Sequence, residues 1–238
     1  MKKQTKYISL ALSLAVATFF AACSDSSDDG NPAQSGEENN PQQGQEETQQ
    51  TGEGDAAFDN VFTDPRDGQV YKITTIENRI WMAENMKYKY AGSSCYENSS
   101  ENCAIYGRLY THAAAAVACP EGWRLPSEFE FFSLVRTASS NGKDNSEGDA
   151  GKFLKSTSGW AEGANGVDSF GFNVLPAGYL DADDQKQYKD IGHGAEFWTS
   201  TEGTNDYWSA AIFFKQSYVV IGKKQADNEL SVRCINDI

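Results

Sequence analysis

Positive charge is scarce in this chain. Against 34 Asp and Glu there are 20 Lys and Arg, and the net charge is −14 over 238 residues. An acidic surface repels phosphate backbones, so nucleic acid is not expected as a partner. Histidine is scarcer still. His112 and His193 stand alone, with no second His or thiolate at ligand spacing, and both read as ordinary polar residues rather than zinc ligands. There is no C-x-x-C, no P-loop, no dinucleotide fingerprint and no Ser-nucleophile motif. Asp and Glu are plentiful, but no spacing singles out a carboxylate pair for glycoside hydrolysis. No fixed-period repeat is present, and long apolar runs are missing except at the N-terminus.

That one run is informative. Lys2, Lys3 and Lys6 precede YISLALSLAVATFFAA, which carries no charge. This is the pattern of a secretion signal, and it is short of the ~20 apolar residues that a membrane span needs. Ala21 and Ala22 directly before Cys23 resemble the lipobox of bacterial lipoproteins, with Phe20 where that family usually has Leu. The resemblance implies that a signal peptide, residues 1–22, is cut before Cys23 and that this thiol carries lipid. Stable anchoring takes more than one acyl chain. The competing reading is an ordinary signal cut nearby, with Cys23 left as a free thiol.

Residues 24–57 hold nine Asp or Glu, no Lys or Arg and no aromatic residue. Such a stretch cannot bury enough apolar surface to offset its ordering entropy. Residues 23–57 are therefore expected to form a disordered acidic tether that lifts a domain, residues 58–238, off a membrane. The expected location is the outer membrane or cell surface, lipid-anchored.

Four cysteines remain after Cys23: Cys95, Cys103, Cys119 and Cys234. Secretion and an even count point to disulfides, and four cysteines allow three pairings. Cys95 and Cys103 lie close together in CYENSSENC, a polar stretch shaped like a small closed loop, which leaves Cys119 with Cys234. A metal site is the alternative, without the usual ligand spacing to support it.

The globular part reads as α+β. QVYKITTIENRIWMAENM suggests two strands around a turn at Glu77-Asn78. YTHAAAAVAC predicts a helix capped by Thr111. Ser127 with Glu130 forms a capping box, and Phe131, Leu134, Val135 and Ala138 follow the spacing of a buried helix face. Glu130 is thus assigned to capping rather than to catalysis. AGKFLKS is a short helical candidate. FGFNVLPAGYL, AEFWTST, DYWSAAIFF, YVVIGKK and LSVRCI suggest strands or strand-like segments, with YWSAAIFF apolar on both faces and so central.

The order of FTDPRDGQVYKITTIENRIWMAENMKY, YGRLYTHAAAAVACPEGWRLPSEFEFFSLV, DSFGFNVLPAGYL, FWTSTE and LSVRCI resembles the Fibrobacter major paralogous domain, a family of secreted bacterial domains. That family is similar to the C-type-lectin-like fold, which also underlies formylglycine-generating enzymes. The resemblance implies two helices, a curled mixed sheet with a long loop region, and a Cys119–Cys234 bridge. It implies no established activity.

Formylglycine-generating enzymes use a reactive cysteine pair, whereas here all four domain cysteines are spent in the expected bridges. Calcium-dependent lectins use a Glu-Pro-Asn-like loop, which is missing, and a Trp-Asn-Asp strand. Here Asn205-Asp206-Tyr207-Trp208 puts Asn-Asp before the Trp. Asp181, Asp183 and Asp184 form an acidic loop with oxygens for calcium, against the reading of a solvated turn. Trp81, Trp123, Trp198 and Trp208 are assigned to the core. Trp160, in the Gly-rich STSGWAEGANG, is the candidate exposed platform, against the alternative of a buried loop anchor. Tyr179 and Tyr188 flank the acidic loop.

The expectation is a non-catalytic surface module that binds polysaccharide or a cell-surface protein through the loops between Ser139 and Tyr207. The candidate ligand-binding residues are Trp160, Tyr179, Asp181, Asp183, Tyr188, Asn205 and Asp206. The competing expectation is a structural component of the envelope.

Overall fold

The computed structural model describes residues 60–140 and 147–238. The expected signal peptide, Cys23 and the tether lie outside the described residues. The strands are β1 (Val61–Thr63), β2 (Val70–Ile76), β3 (Arg79–Met82), β4 (Ser93–Ser94), β5 (Leu109–Tyr110), β6 (Ala177–Asp181), β7 (Gln187–Ile191), β8 (Gly194–Glu202), β9 (Tyr207–Phe213), β10 (Val219–Lys224) and β11 (Ile235–Asp237). The helices are α1 (Ser100–Tyr106), α2 (His112–Ala115), α3 (Glu128–Ser140) and α4 (Ala150–Leu154). The fold is α+β, with four helices among the described residues: α2, α3 and the short α4 fall where helices were expected, and α1 is additional.

Local chemistry sets several of these elements. Glu77, at φ 55°, turns β2 into β3. The Thr111 hydroxyl accepts from the Ala114 amide and starts α2. At α3 the capping box closes both ways. The Ser127 amide donates to Glu130 Oε2 at 2.7 Å, and the Glu130 amide donates to Ser127 Oγ at 3.3 Å. Phe131, Leu134, Val135 and Ala138 are all buried, as their spacing required.

The strands form a five-stranded sheet ordered β10-β9-β8-β6-β7, a four-stranded sheet ordered β1-β2-β3-β11, and the short pair β4-β5. All pairs are antiparallel except β6 with β8, which makes the larger sheet mixed. β9 lies inside it and buries Ala210, Ala211 and Ile212 on both faces. Neighbouring residues in a strand point to opposite faces, so Phe197 and Trp198 of β8 anchor two different cores. Phe197 packs with Phe131, Leu134, Phe172 and Ile212. Trp198 packs with Ala114, Ala115 and Ala118 around α2, and with Tyr71, Met82 and Cys234. The alanines let this helix approach closely.

Both expected disulfides are present. Cys119–Cys234 ties the end of the α2 region to the start of β11, across a separation of 115 residues. In the chain-entropy account such a closure contributes about 4–5 kcal/mol. The shorter bridge differs from expectation in its setting. CYENSSENC is not a plain loop but carries α1, capped by the Ser99 hydroxyl accepting from Asn102.

Two expected strands are shorter or broken. Only Ala177–Asp181 of FGFNVLPAGYL is a strand, and in LSVRCI regular pairing begins at Ile235, after single bridges at Leu230 and Ser231. In the first of these, Phe172 and Asn173 face Arg233, which is 1% exposed. Its guanidinium donates to Asn85 Oδ1 at 2.6 Å and to the carbonyls of Met82, Phe172 and Asn173 at 3.0, 2.6 and 3.0 Å. It also lies 4.8 Å over the Phe172 ring. Burial lowers its pKa to about 9, so it remains charged at neutral pH. The Phe172 and Asn173 carbonyls, bonded to this cation, are not available to a strand ladder.

Of its two expected settings, Trp160 takes that of the buried loop anchor rather than the exposed platform. It is 5% exposed. Its indole Nε1 donates to the Val174 carbonyl at 2.9 Å and to Ser156 Oγ at 3.1 Å. The Lys155 ammonium lies 4.6 Å over its ring and donates to the carbonyls of Phe213, Phe214 and Gln216. The glycines around Trp160 let the loop fold back, and the indole anchors it.

Candidate functional site

The end of the five-stranded sheet, where β6 finishes, β9 starts and β10 finishes, opens into a polar cleft of about 280 Å³. Asp181 and Asp183 line it from the loop after β6, and Asp206 from the turn before β9. Lys223 and Lys224 at the end of β10, with Gln225 and Asn228 beyond, complete it. Three of the residues expected from the sequence are thus brought together.

Most of the charges in and beside this cleft are paired. Lys189 Nζ lies 2.7 Å from Asp181 Oδ2 and 2.9 Å from Asp184 Oδ2. Asp181 Oδ1 also accepts from the amides of Asp183 and Asp184 at 3.1 and 3.3 Å. The Lys189 hydrogen bond in particular holds the Asp181 carboxyl below its usual range. Lys223 Nζ is 3.3 Å from Asp206 Oδ1. Lys224 Nζ is 3.0 Å from Glu196 Oε2 and 4.2 Å over the Tyr179 ring. Glu196 is buried, and burial pushes its carboxyl up against the opposing pull of Lys224. Burial together with Glu196 and nearby aspartates pushes Tyr179 to about 12. Asn228, also buried, accepts from the Ala182 amide and donates to the Gln225 carbonyl, which pins the two loops together.

This arrangement does not suit calcium, which takes six to eight oxygens. A lysine ammonium already stands between Asp181 and Asp184, and no group of three His, Cys, Asp or Glu among the described residues could hold a metal ion.

The remaining candidates fall elsewhere. Asn205 is exposed beside Asp206, in the turn that Gly203 closes by donating to the Asp206 carbonyl. Tyr188 pairs with Leu180, on the opposite face of the β6–β7 hairpin from Asp181 and Lys189. Its hydroxyl donates to Ser94 Oγ, and its ring lies 5.0 Å from Tyr96. A larger cleft of about 500 Å³, at Thr74, Asp168 and Asn173, contains none of the candidates.

Trp208 corrects the core assignment. It is half-buried rather than in the core, and it lines an apolar groove of about 340 Å³ with Phe132, Val135, Val219 and Ile221. Glu128 and Arg136 form its polar edge. Alternation along β9 and β10 aims Trp208, Ile221 and Val219 at the α3 side of the sheet. The groove adjoins the polar cleft through Lys223, whose ammonium lies 4.9 Å over the Trp208 ring while contacting Asp206. Sequence reasoning missed Lys223, Lys224, Asn228 and Glu196. The only available signal was the Lys-Lys pair at a strand end, where alternation sends consecutive side chains to opposite faces.

His112 is buried and structural, packed between Tyr207 and Trp198. All four cysteines of residues 60–238 are in disulfides, so none offers a thiolate.

No curated protein and no solved structure matches the chain. A family model does, that of the Fibrobacter succinogenes major domain, over residues 74–236. That span runs from β2 to β11 and takes in both disulfides, the cleft and the groove, so this chain belongs to the Fibrobacter succinogenes major domain family.

Proposed function

We propose that this domain is a non-catalytic binding module for polysaccharide, displayed at the outer membrane or cell surface by a lipid on Cys23 and an acidic tether. The observation that carries the reading is the position of Lys223, which joins a cleft of paired carboxylates, ammoniums and amides to a groove with an indole face. A sugar ring has an apolar face and a rim of hydroxyls. The hydroxyls both donate and accept, so they can insert between Asp and Lys partners without leaving either charge unpaired. The ring face suits an aromatic side chain. A cleft of mixed polarity beside an apolar groove gives orientation from one half and contact area from the other. An extended chain of sugars could occupy both at once.

The test is calorimetric titration of the chain from residue 24 onward, disulfides intact, against plant and bacterial polysaccharides, with calcium and with chelator. Saturable binding is expected, unaffected by chelator, and weakened at least about tenfold by Trp208→Ala and by Asp206→Ala. Failure to bind any glycan would defeat the polysaccharide reading and favour a protein partner in the envelope, sought next by cross-linking on intact cells.

A further inference from the structure

The two disulfides sit in different surroundings. Cys119 is half-buried against the core, but its partner Cys234 is fully buried, and the Cys234 carbonyl accepts from the Met82 amide. Cys95 and Cys103 are half-exposed, and both line an open cleft of about 420 Å³ together with Lys87 and Arg108. Arg108 Nη1 lies 3.4 Å from Cys95 Sγ and 3.5 Å from Cys103 Sγ. The guanidinium is held there by Ser93, whose hydroxyl accepts from Nε and whose carbonyl accepts from Nη2, both at 2.9 Å. Ser93 is neutral, and among the described residues no carboxylate forms an ion pair with Arg108; Glu229 is near enough to feel its charge but offsets it only in part.

A cation that touches both sulfurs of an accessible disulfide does little for the neutral bridge. It acts on the thiolate that forms when the bridge opens. A lower leaving-group pKa speeds thiol–disulfide exchange, and a stabilised thiolate favours the reduced form. With a separation of 8 residues against 115, opening this bridge also costs the folded state less, roughly half as much stability as opening Cys119–Cys234 in the chain-entropy account.

We propose that Cys95–Cys103 is an exchangeable redox site that reacts with an external dithiol, while Cys119–Cys234 is a permanent staple. A thiolate of the dithiol attacks one sulfur of the bridge. The S–S bond breaks, and its electron pair leaves on the other sulfur as a thiolate beside Arg108. The second thiol of the partner loses its proton, attacks the mixed disulfide and releases the second cysteine. In sum, the bridge gains two electrons and two protons, and the partner dithiol becomes a disulfide. The segment set free includes Tyr96, which packs against the Tyr188 ring of β7 and against Gly178 of β6, where an added Cβ would come within 2.7 Å of Tyr96 Cε2. Reduction therefore loosens the support behind the β6–β7 hairpin.

The experiment exposes the folded full chain to dithiothreitol at neutral pH without denaturant, then alkylates differentially and reads each bridge by mass spectrometry. Cys95–Cys103 should open at least about a hundredfold faster than Cys119–Cys234, and Arg108→Gln should slow its opening roughly tenfold. Opening of both bridges together would overturn the proposal, as would an unchanged rate in Arg108→Gln. If that variant opens faster because it is less well folded, the alkylation rate of the reduced wild-type protein against pH decides. A thiol titrating below the ordinary ~8.5 is expected, and one at or above that value rejects the role of Arg108.

Discussion

The imidazole of His112 lies 3.5 Å from the ring of Tyr207, within 20° of parallel. Its Nε2 is 3.0 Å from the Thr199 carbonyl oxygen. A carbonyl can only accept, so Nε2 carries a hydrogen. Burial lowers the pKa of His112 below 6.5, outweighing the opposite pull of the Thr199 carbonyl and of Glu202. A His that resists protonation when folded lets the unfolded chain take up the proton first, so stability should fall as pH drops below 6.5 and be complete above it. Urea unfolding at pH 7.5 and 5.5 measures this. His112→Phe should flatten the slope in that window, and an undiminished slope would assign it to another group.

Glu130 gives a second, more acidic window. Burial alone would raise its carboxyl, but the Arg124 and Ser127 hydrogen bonds outweigh that and hold it at about 2, from an ordinary 4.5. Its contribution is therefore complete above 4.5 and lost as pH falls from 4.5 towards 2. With Arg124 partly solvent-screened, the contribution is about 2–3 kcal/mol. Glu130→Gln should lose most of it at pH 7 and show a shallower acid transition by circular dichroism.

Lys155→Met would leave the carbonyls of Phe213, Phe214 and Gln216 without the ammonium they share. A loss of about 2–4 kcal/mol in chemical denaturation is expected, although Met preserves the apolar stem. A neutral outcome would mean that water replaces the ammonium.

Two tryptophans should respond in opposite ways. Trp160→Phe keeps an aromatic ring, smaller than the indole, and removes the N–H that reaches Val174 and Ser156. It should cost about 1–3 kcal/mol of stability and leave polysaccharide affinity unchanged. Trp208→Ala should lower affinity with a smaller effect on stability. Reversed effects in the paired titration and unfolding measurements would exchange the roles of anchor and platform.

Much of the fold was legible from short stretches of sequence. The Ser127–Glu130 box, the Thr111 cap, the turn at Glu77 and the buried stripe from Phe131 to Ala138 each involve partners within a few positions. Their energetics are local, and so is their signature. The cysteine pairing was legible for a different reason, since so few thiols leave few combinations. The family likewise rests on the order of such local motifs.

The site was legible only in part. Asp181, Asp183 and Asp206 were recognisable as loop carboxylates, but their meeting with Lys223 depends on β6, β9 and β10 ending at the same rim of the sheet. Composition suggested the wrong tryptophan. Trp160 stands among glycines yet is covered by Val174 and Lys155, while Trp208 stands in a strand yet projects beside α3 into an open groove. Arg233 looked like an ordinary strand residue and turned out to hold four neutral oxygens in the interior.

By itself, then, the sequence determined the acidic character, the starts of α2 and α3, the turn at Glu77, the two bridges and the α+β class, because those depend on neighbours along the chain or on counting. Only the tertiary structure decided which aromatic faces solvent, which cation is buried and which charges share a cleft. Burial is conferred by whichever distant segment covers a side chain, and that segment leaves no mark on the residues beside it.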